Sequence, residues 1–398
     1  MMQQILVVNS GSSTLKFKLF QMPDEEVIAQ GMVDRLGSDK SVFEIKFHGQ
    51  KQTKNLPIKS HAAAVDYLMK QLLGLGIIKD IKDISGIGHR VVSGGPVFDN
   101  SIAMSDDNLS KLAEVDEYAP LHNPAERKGI EAFNEMLPGV PQVAVFDTSF
   151  YRDLPEMNKI YSIPRHLDHK YGAHKYGAHG TSHHYVSDEA AKLLNKNLSS
   201  LKMITLHMGS GVSVTAEKDG KAFDTSMGFT PISGVTMSSR AGDVDVSLVA
   251  FLMEKLQIND MQKMIDLLNN DSGLKGISGI SPDMRDLIAA RKTNPDAQLA
   301  IDVFINRIVK YVGSYIAEMH GLDVMVFTAG MGENNPHIRA KVMQNFEFLG
   351  MQVDHESNDN GQGARIITTP NSKIKGLVVP TDEELMIARE FERLVQSN

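Results

Sequence analysis

The chain spells one short pattern twice. Ile5-Leu6-Val7-Val8 leads into the turn Asn9-Ser10-Gly11-Ser12-Ser13-Thr14 and out through Leu15-Lys16-Phe17-Lys18-Leu19-Phe20. Met203-Ile204-Thr205-Leu206 leads into His207-Met208-Gly209-Ser210-Gly211 and out through Val212-Ser213-Val214-Thr215-Ala216, with a further turn at Lys218-Asp219-Gly220. Short apolar runs broken by glycine and hydroxyl residues are strands joined by tight turns. One copy stands near the start of each half, which reads as a single structural unit used once per domain. Two unrelated hairpins are the alternative on spacing alone. A chain of 398 residues is too long for one core, and strand-like stretches alternate with helix-like ones, so the expected fold is α/β in two domains. The boundary is expected near residues 148–155, after the apolar segment QVAVFD, since no Pro-rich or Ser-rich linker marks another place.

Three helices are legible. Residues 61–73, HAAAVDYLMKQLL, carry apolar side chains at helical spacing and stop at Gly74; residues 298–320 form a long amphipathic stretch that stops at Gly321. After Pro380-Thr381 the run DEELMIAREFERLVQ sets Leu385, Ala388, Phe391 and Val395 on one face, and Thr381 with Glu384 has the spacing of a capping box. That box gives Glu384 a structural task and leaves Glu383, in the electropositive first turn, without one.

Charge and composition exclude several functions. With 41 basic and 49 acidic residues mixed along the chain and a net charge of −8, there is no broad basic face for nucleic acid or anionic membrane. A small basic pocket for an anionic ligand is still allowed. The absence of cysteine removes disulfides, thiolate metal sites and a cysteine nucleophile. No apolar run approaches the roughly 20 residues of a membrane span. Met1 to Gln4 has no basic charge and the apolar run after it ends at Asn9, unlike a signal peptide. A cytoplasmic protein is expected.

Several loops have the composition of an anion-binding surface. Ser10, Gly11, Ser12, Ser13 and Thr14, followed by Lys16, offer close backbone approach, hydroxyl donors and a point charge to a phosphate, although the P-loop pattern is absent. A plain hairpin turn is the alternative. His207 to Gly211 is a second such turn, and Phe327-Thr328-Ala329-Gly330-Met331-Gly332-Glu333-Asn334 a third, directly after an apolar strand. Three glycine-rich loops, each following a strand, suit a nucleotide cradled between two lobes. Arg90 and Arg240 stand among glycine and hydroxyl residues, a setting for bidentate anion binding, with a structural ion pair as the alternative. Asp147 ends an apolar strand, where a carboxylate often meets a metal or substrate. Residues 166–184 hold six of the 14 histidines, including the tandem YGAHK-YGAHG, without any recognised metal-ligand spacing. They read as a polar loop in which one or two histidines face a ligand.

Taken together, the stretches LVVNSGSSTLKF, GHRVVSGG, APLHNP, VAVFDTSF, YGAHGTSHHYV, LHMGSG, DTSMGFTP, SSRAGDVD, SGLKGISGISPDMRDL, VFTAGMGEN and PTDEELMIA resemble the acetokinase family, the acetate kinases, in order from residue 6 to residue 388. The resemblance implies the fold of acetate and sugar kinases, heat-shock chaperones and actin: two duplicated actin/hexokinase-like α/β domains with a central nucleotide cleft. It implies an N-terminal domain over 1–150, on which the C-terminal helix 382–398 packs, and a nucleotide-binding and dimerisation domain over 151–381. It also implies a homodimer, and reversible Mg²⁺-dependent phosphoryl transfer (with Mn²⁺ as a substitute metal) from ATP to acetate, giving acetyl phosphate and ADP.

Residue by residue, the family pattern puts Asn9 and Glu383 around the Mg²⁺ and Ser12 and Lys16 near the phosphates. Arg90 and Arg240 would hold the carboxylate and the phosphoryl in transit, with Asp147 close to the reaction centre and His122 and His179 beside the transferring group. The nucleotide would lie against His207, Met208, Gly209, Ser210 and Gly211, against Asp283, Met284 and Arg285, and against Gly330, Met331, Gly332, Glu333 and Asn334. Val92, Leu121 and Pro231 would line the acyl pocket. Acetate is already ionised at pH 7, so positioning and charge neutralisation are what the chemistry asks for, rather than a general base. Closure of the lobes to exclude water from the reactive acyl phosphate is a further expectation.

Four departures from the pattern, at five positions, stand out. Ala178 stands where many members have Phe bordering the acyl methyl, which opens propionate or longer acids as substrates, at about 1–3 kcal/mol of discrimination per methylene. Ser210 replaces Asn, Ser93 replaces His, and Ser238-Ser239 replace Gly-Thr before Arg240. The last brings bulk near the phosphate path and raises pyrophosphate as a donor, against which the intact GISPDMRD and GMGEN segments stand. A nucleotide-sensing or chaperone-like module is the alternative from another class; it predicts loss of acyl-side residues, yet Arg90, Asp147, His179 and Arg240 are all present.

Overall fold

Alternation of apolar and polar residues builds two sheets, and glycines decide what can lie on them. The computed structural model describes residues 2–120 and 122–396. The chain divides into two units, one formed by the residues through Arg152 and from Asp382 on, the other by Asp153–Thr381.

The first unit holds an eight-stranded sheet of β1 (Gln3–Ser10), β2 (Thr14–Met22), β3 (Glu26–Asp34), β4 (Ser41–Phe47), β5 (Gln50–Leu56), β6 (Ile84–Val91), β7 (Ile102–Ala103) and β8 (Gln142–Phe146), in the order β5-β4-β3-β2-β1-β6-β8-β7. Strands β1 to β5 form an antiparallel meander; β6 and β8 run parallel to β1. One face buries Leu6, Val8, Leu15 and Phe17 beneath the helices His61–Gly74 and Asn123–Met136. The other takes the C-terminal helix Glu383–Gln396, and here Gly86 and Gly88 of β6 are required. A Cβ on Gly86 would lie 1.9 Å from the Phe391 ring, and one on Gly88 2.5 Å from Ile387.

The second unit holds β9 (Met203–Met208), β10 (Val212–Lys218), β11 (Lys221–Thr225), β12 (Val324–Thr328), β13 (Arg365–Ile366) and β14 (Lys375–Val378), in the order β11-β10-β9-β12-β14-β13. Asp219 and Gly220 both take positive φ, the two-residue turn a twisted hairpin prefers. Ile204 and Leu206 share a core with the helix Pro295–Met319, while Met203 faces Val186 and Ala190 of the helix Gly180–Leu193. Strands β12 and β14 run parallel to β9. The runs β3-β2-β1-β6-β8 and β11-β10-β9-β12-β14 therefore share one order and one set of directions. The repeated sequence pattern is a duplicated α/β unit, as expected.

Element ends differ from the sequence reading in three places. The first helix includes Gly74; Leu75 caps it and Gly76 takes the positive φ. The long helix starts earlier, at Pro295, because Asn294 caps it by accepting from Asp296 and Ala297 N–H, and it closes at His320 in the left-handed region. The C-terminal helix is capped by Asp382, whose Oδ1 accepts from Leu385 N–H at 3.0 Å, not by Thr381. Thr381 N–H instead donates to Glu333, and Glu384 pairs with Lys18 at 3.2 Å rather than closing a capping box. A carboxylate that also meets Lys18 outcompetes the threonine hydroxyl for the cap.

Candidate active site

In the first unit the parallel strands end together. Val8 is registered with His89 and Val91 with Phe146, so Asn9, Arg90 and Asp147 emerge at the carboxyl ends of β1, β6 and β8. Open α/β sheets bind ligands at that edge. Arg90 donates to both Asp147 oxygens, Nη2 to Oδ2 at 2.6 Å and Nε to Oδ1 at 3.3 Å, and its Nε lies 3.3 Å from Glu383 Oε2. Asp147 is only 1% exposed. Burial works against the Arg90 charge, but Asp147 and Glu383 outweigh it and hold the guanidinium pKa above its ordinary value. Glu383 is pushed up by burial and by the negative Asp147 and Glu384, against the pull of Arg90 and Lys16.

The loop after Arg90 is tied down by residues the sequence reading did not pick out. Glu126 accepts from Val92 N–H at 2.9 Å, and burial pushes its carboxyl up to about 8. Asn123 accepts from Ser93 N–H and donates to the carbonyls of Ser93 and Val115. Both follow His122, which opens the helix Asn123–Met136. Leu121 lies outside the described residues. Ser12 is exposed at the tip of the first hairpin and borders a pocket of about 560 Å³ with Lys59, His61 and Lys128. Lys16 is exposed on β2 opposite Asn9.

In the second unit His179 takes a left-handed conformation, φ 59°, immediately before the helix Gly180–Leu193. Its ring stacks on His207 with centroids 4.1 Å apart, and its Nδ1 lies 2.9 Å from Ser213 Oγ. A Cβ on Gly211 would come within 3.1 Å of the His179 ring and 3.5 Å of Arg240 Nη1, so glycine keeps the space between them clear. Arg240 Nη1 donates to the Pro231 carbonyl at 3.1 Å, and among the described residues no carboxylate pairs with its guanidinium. Burial lowers its pKa. Arg90 is neutralised twice over, whereas Arg240 is a cation that still lacks an anion.

A pocket of about 490 Å³ gathers Gly209, Ser210, Asp283, Met284, Arg285, Gly330, Met331 and Asn334, with Ser238, Pro282 and Asn335 added. That volume is in the range of small-molecule sites. Asp283 caps the helix Met284–Ala290 through Arg285 N–H, and the Arg285 guanidinium holds its carboxyl down to about 2. His207, Gly211, Met208, Gly332 and Glu333 do not line this pocket. The first two lie beside His179, Met208 is wholly buried, Gly332 backs onto Phe327, and Glu333 accepts from Thr381 N–H.

Behind His179 runs a buried polar layer. Ser213 Oγ also lies 2.7 Å from His183 Nε2, and His183 Nδ1 lies 2.7 Å from Thr205 Oγ1. Glu217 Oε1 is 2.9 Å from Thr205 Oγ1 and 2.7 Å from Ser187 Oγ. Elsewhere in the histidine-rich segment His174 pairs with Asp168 at 2.6 Å and His184 faces Asp188 at 3.9 Å. Among the described residues no group of three or more His, Asp or Glu is placed to hold a metal, and no helix is long and apolar enough to cross a membrane.

The sequence profile of the acetokinase family matches residues 4–389. Acetate kinase 1 of Latilactobacillus sakei is 52% identical over 394 residues, covering 99% of this chain and 100% of that one. The crystal structure of Porphyromonas gingivalis acetate kinase superposes with a TM-score of 0.93 at 41% identity, covering 99% of this chain and 100% of that one. A propionate kinase from Francisella tularensis superposes with a TM-score of 0.92 at 39% identity over the same shares.

Proposed function

The chain belongs to the acetokinase family, and from that premise we infer that it is an ATP:acetate phosphotransferase that interconverts acetate and ATP with acetyl phosphate and ADP. Family membership over the full length carries this conclusion, and the arginine geometry says how the residues serve it. Acetate arrives as an anion and so does the γ-phosphate; the obstacle is their repulsion, not a proton. Arg90 has its guanidinium locked in place by Asp147 and Glu383, a preorganised donor for the acetate carboxylate. Arg240, which no carboxylate neutralises, would take the phosphoryl group, with His179 beside it and His122 as a further donor. Ser12 and Lys16 would meet the phosphates, and the 490 Å³ pocket would hold the nucleoside of ATP or ADP. His207 and Gly211 would border the phosphoryl side, with Met208, Gly332 and Glu333 as the scaffold behind the nucleotide loops.

The residues fit a Mg²⁺ ion, or Mn²⁺ in its place. Two carboxylates, Asp147 and Glu383, both contact Arg90, and Glu383 is raised by burial and by its negative neighbours despite Arg90 and Lys16, a cluster that a further positive charge would relieve. Glu383 and Asn9 would hold the metal through oxygen, as hard divalent cations prefer. Bound there, it would neutralise phosphate charge. Asp147 is committed to Arg90, so it orients that arginine rather than abstracting a proton.

Val92, Leu121 and Pro231 would line the acyl pocket. The Francisella relative keeps propionate in view as a second substrate. Ala178, however, is 3% exposed in a core that includes Met208, Met227 and Met237, which supports the reading that methionines fill the volume a Phe would take. A homodimer is proposed on the family premise and on the helix Val246–Lys255, none of whose residues is buried and which exposes Val246, Leu248 and Phe251. The cytoplasm, where ATP is available, is the proposed location. The test is acyl-phosphate formation trapped with hydroxylamine, using acetate, propionate and butyrate, each with Mg-ATP or pyrophosphate. Fastest turnover of acetate with ATP, falling steeply to butyrate, is expected. A preference for pyrophosphate or for butyrate would overturn the assignment.

A further inference from the structure

The polar layer behind His179 has a direction, and counting its protons shows what that direction controls. Period-two alternation puts Thr205 and His207 of β9 and Ser213, Thr215 and Glu217 of β10 on one face of the sheet. His183 and Ser187, one turn apart on the helix Gly180–Leu193, meet that face. The bonds form one line, Glu217–Thr205–His183–Ser213–His179, each contact between 2.7 and 2.9 Å.

Thr205 and Ser213 have one hydroxyl proton each, and a neutral imidazole has one N–H. Within the line itself, two arrangements give every contact one proton. With Glu217 ionised, Thr205 donates to it, His183 donates from Nδ1 to Thr205, Ser213 donates to His183 Nε2, and His179 donates from Nδ1 to Ser213. A neutral His179 then has an unprotonated Nε2, which repels an anion. With Glu217 protonated on Oε1, the oxygen that meets Thr205, every bond reverses, Ser213 donates to His179 Nδ1, and His179 carries its proton on Nε2.

We propose that Glu217, Thr205, His183 and Ser213 are positioning residues that hold His179 as a neutral Nε2–H donor toward the transferring phosphoryl group. The proposal rests on the reading that His179 faces that group. Glu217 Oε2 has no hydrogen-bond partner and the residue is 1% exposed, so an ionised carboxylate would keep one of its two oxygens buried without a donor. Burial pushes its carboxyl up to about 8 despite the Ser187 and Thr205 hydroxyls, and Asp188 adds to the rise. On the neighbouring strands Met203 and Ala222 stand opposite it and bring no charge. The helix brings His183 and Asp188. His183 is held well below its ordinary value by burial and by His207, which keeps the middle of the line neutral.

The test is ¹⁵N-histidine NMR on the whole protein, with two-bond correlations that tell Nδ1–H from Nε2–H, alongside the pH profile of kcat. Wild type is expected to show His179 as the Nε2–H tautomer at pH 7 and to lose it, with kcat, as pH rises through about 8. Glu217→Gln cannot ionise, so the alkaline fall should vanish and the variant should outpace wild type at pH 9 by about tenfold. Ser213→Ala breaks the line and is expected to lower kcat by ~10-fold or more while the KM for ATP holds. An Nδ1–H tautomer at pH 7, an alkaline limb retained in Glu217→Gln, or wild-type kcat in Ser213→Ala would each overturn the relay. Should a variant fail to fold, the wild-type tautomer still decides. Full activity in His179→Ala would instead sink the reading of His179 itself, a result separable from all of these.

Discussion

The two arginines are the same residue type in opposite electrostatic states, and their variants are expected to fail differently. Arg240→Ala removes a cation that no carboxylate needs, so kcat should fall by about 10²-fold or more, with a thermal midpoint close to wild type. Arg90→Ala should lose activity and also stability, by roughly 3–5 kcal/mol, because it strands Asp147 and Glu383 in a buried setting. Hydroxamate assay and thermal unfolding of the two variants separate the cases; equal midpoints would contradict the difference. Stability should also depend on Glu217. Its folded pKa of about 8 is above the ordinary carboxylate value, so the folded state binds the proton more tightly. Its favourable contribution is whole below the ordinary range and is lost as pH rises through about 8, with a slope near 1.4 kcal/mol per pH unit inside that window. Glu217→Gln is therefore expected to stabilise more at pH 9 than at pH 5, as read by denaturant unfolding; an equal effect at both would contradict a raised folded pKa. Arg90 and Arg240 stood out in the sequence as candidates because glycine and hydroxyl neighbours are a poor setting for a solvated charge. Glu217 and His183 were not, since each looks ordinary beside its neighbours. The signal available was that β9 and β10 are buried on both faces, so polar residues at period two on them must find one another.

Helices and strands were read well in their middles and poorly at their ends. Period and terminal glycine located the helix His61–Gly74, and period with a capping-box spacing located the C-terminal helix, but its cap went to the oxygen the tertiary structure favoured, Asp382 rather than Thr381. The packing of that helix was not visible in its own sequence; it is written in the glycines of β6. Gly86→Ala forces a methyl to within 1.9 Å of Phe391 and should cost about 1–3 kcal/mol. Phe391→Leu placed on that background should recover part of the loss. Since the same helix begins with Glu383, loosening it should weaken the proposed Mg²⁺ site along with the fold. Unchanged stability in Gly86→Ala would mean the helix sits elsewhere.

At the scale of the whole chain, the duplicated order of strands was legible from one repeated hairpin, because a glycine and hydroxyl turn between two apolar runs has few other solutions. The proposed homodimer came from the family resemblance and not from the residues themselves, since an exposed apolar helix looks in sequence like a buried one. Phe251→Glu together with Leu248→Glu is expected to convert a dimer to a monomer in sedimentation velocity; a wild-type profile would place the interface away from the helix Val246–Lys255. The central claim, reversible phosphoryl transfer between a carboxylate and a nucleotide, is tested most directly by ³¹P NMR of purified protein with acetyl phosphate and Mg-ADP. The acetyl phosphate signal should decay as the β-phosphate of ATP grows, one for one. Release of inorganic phosphate in place of ATP, or an unchanged spectrum, would contradict it.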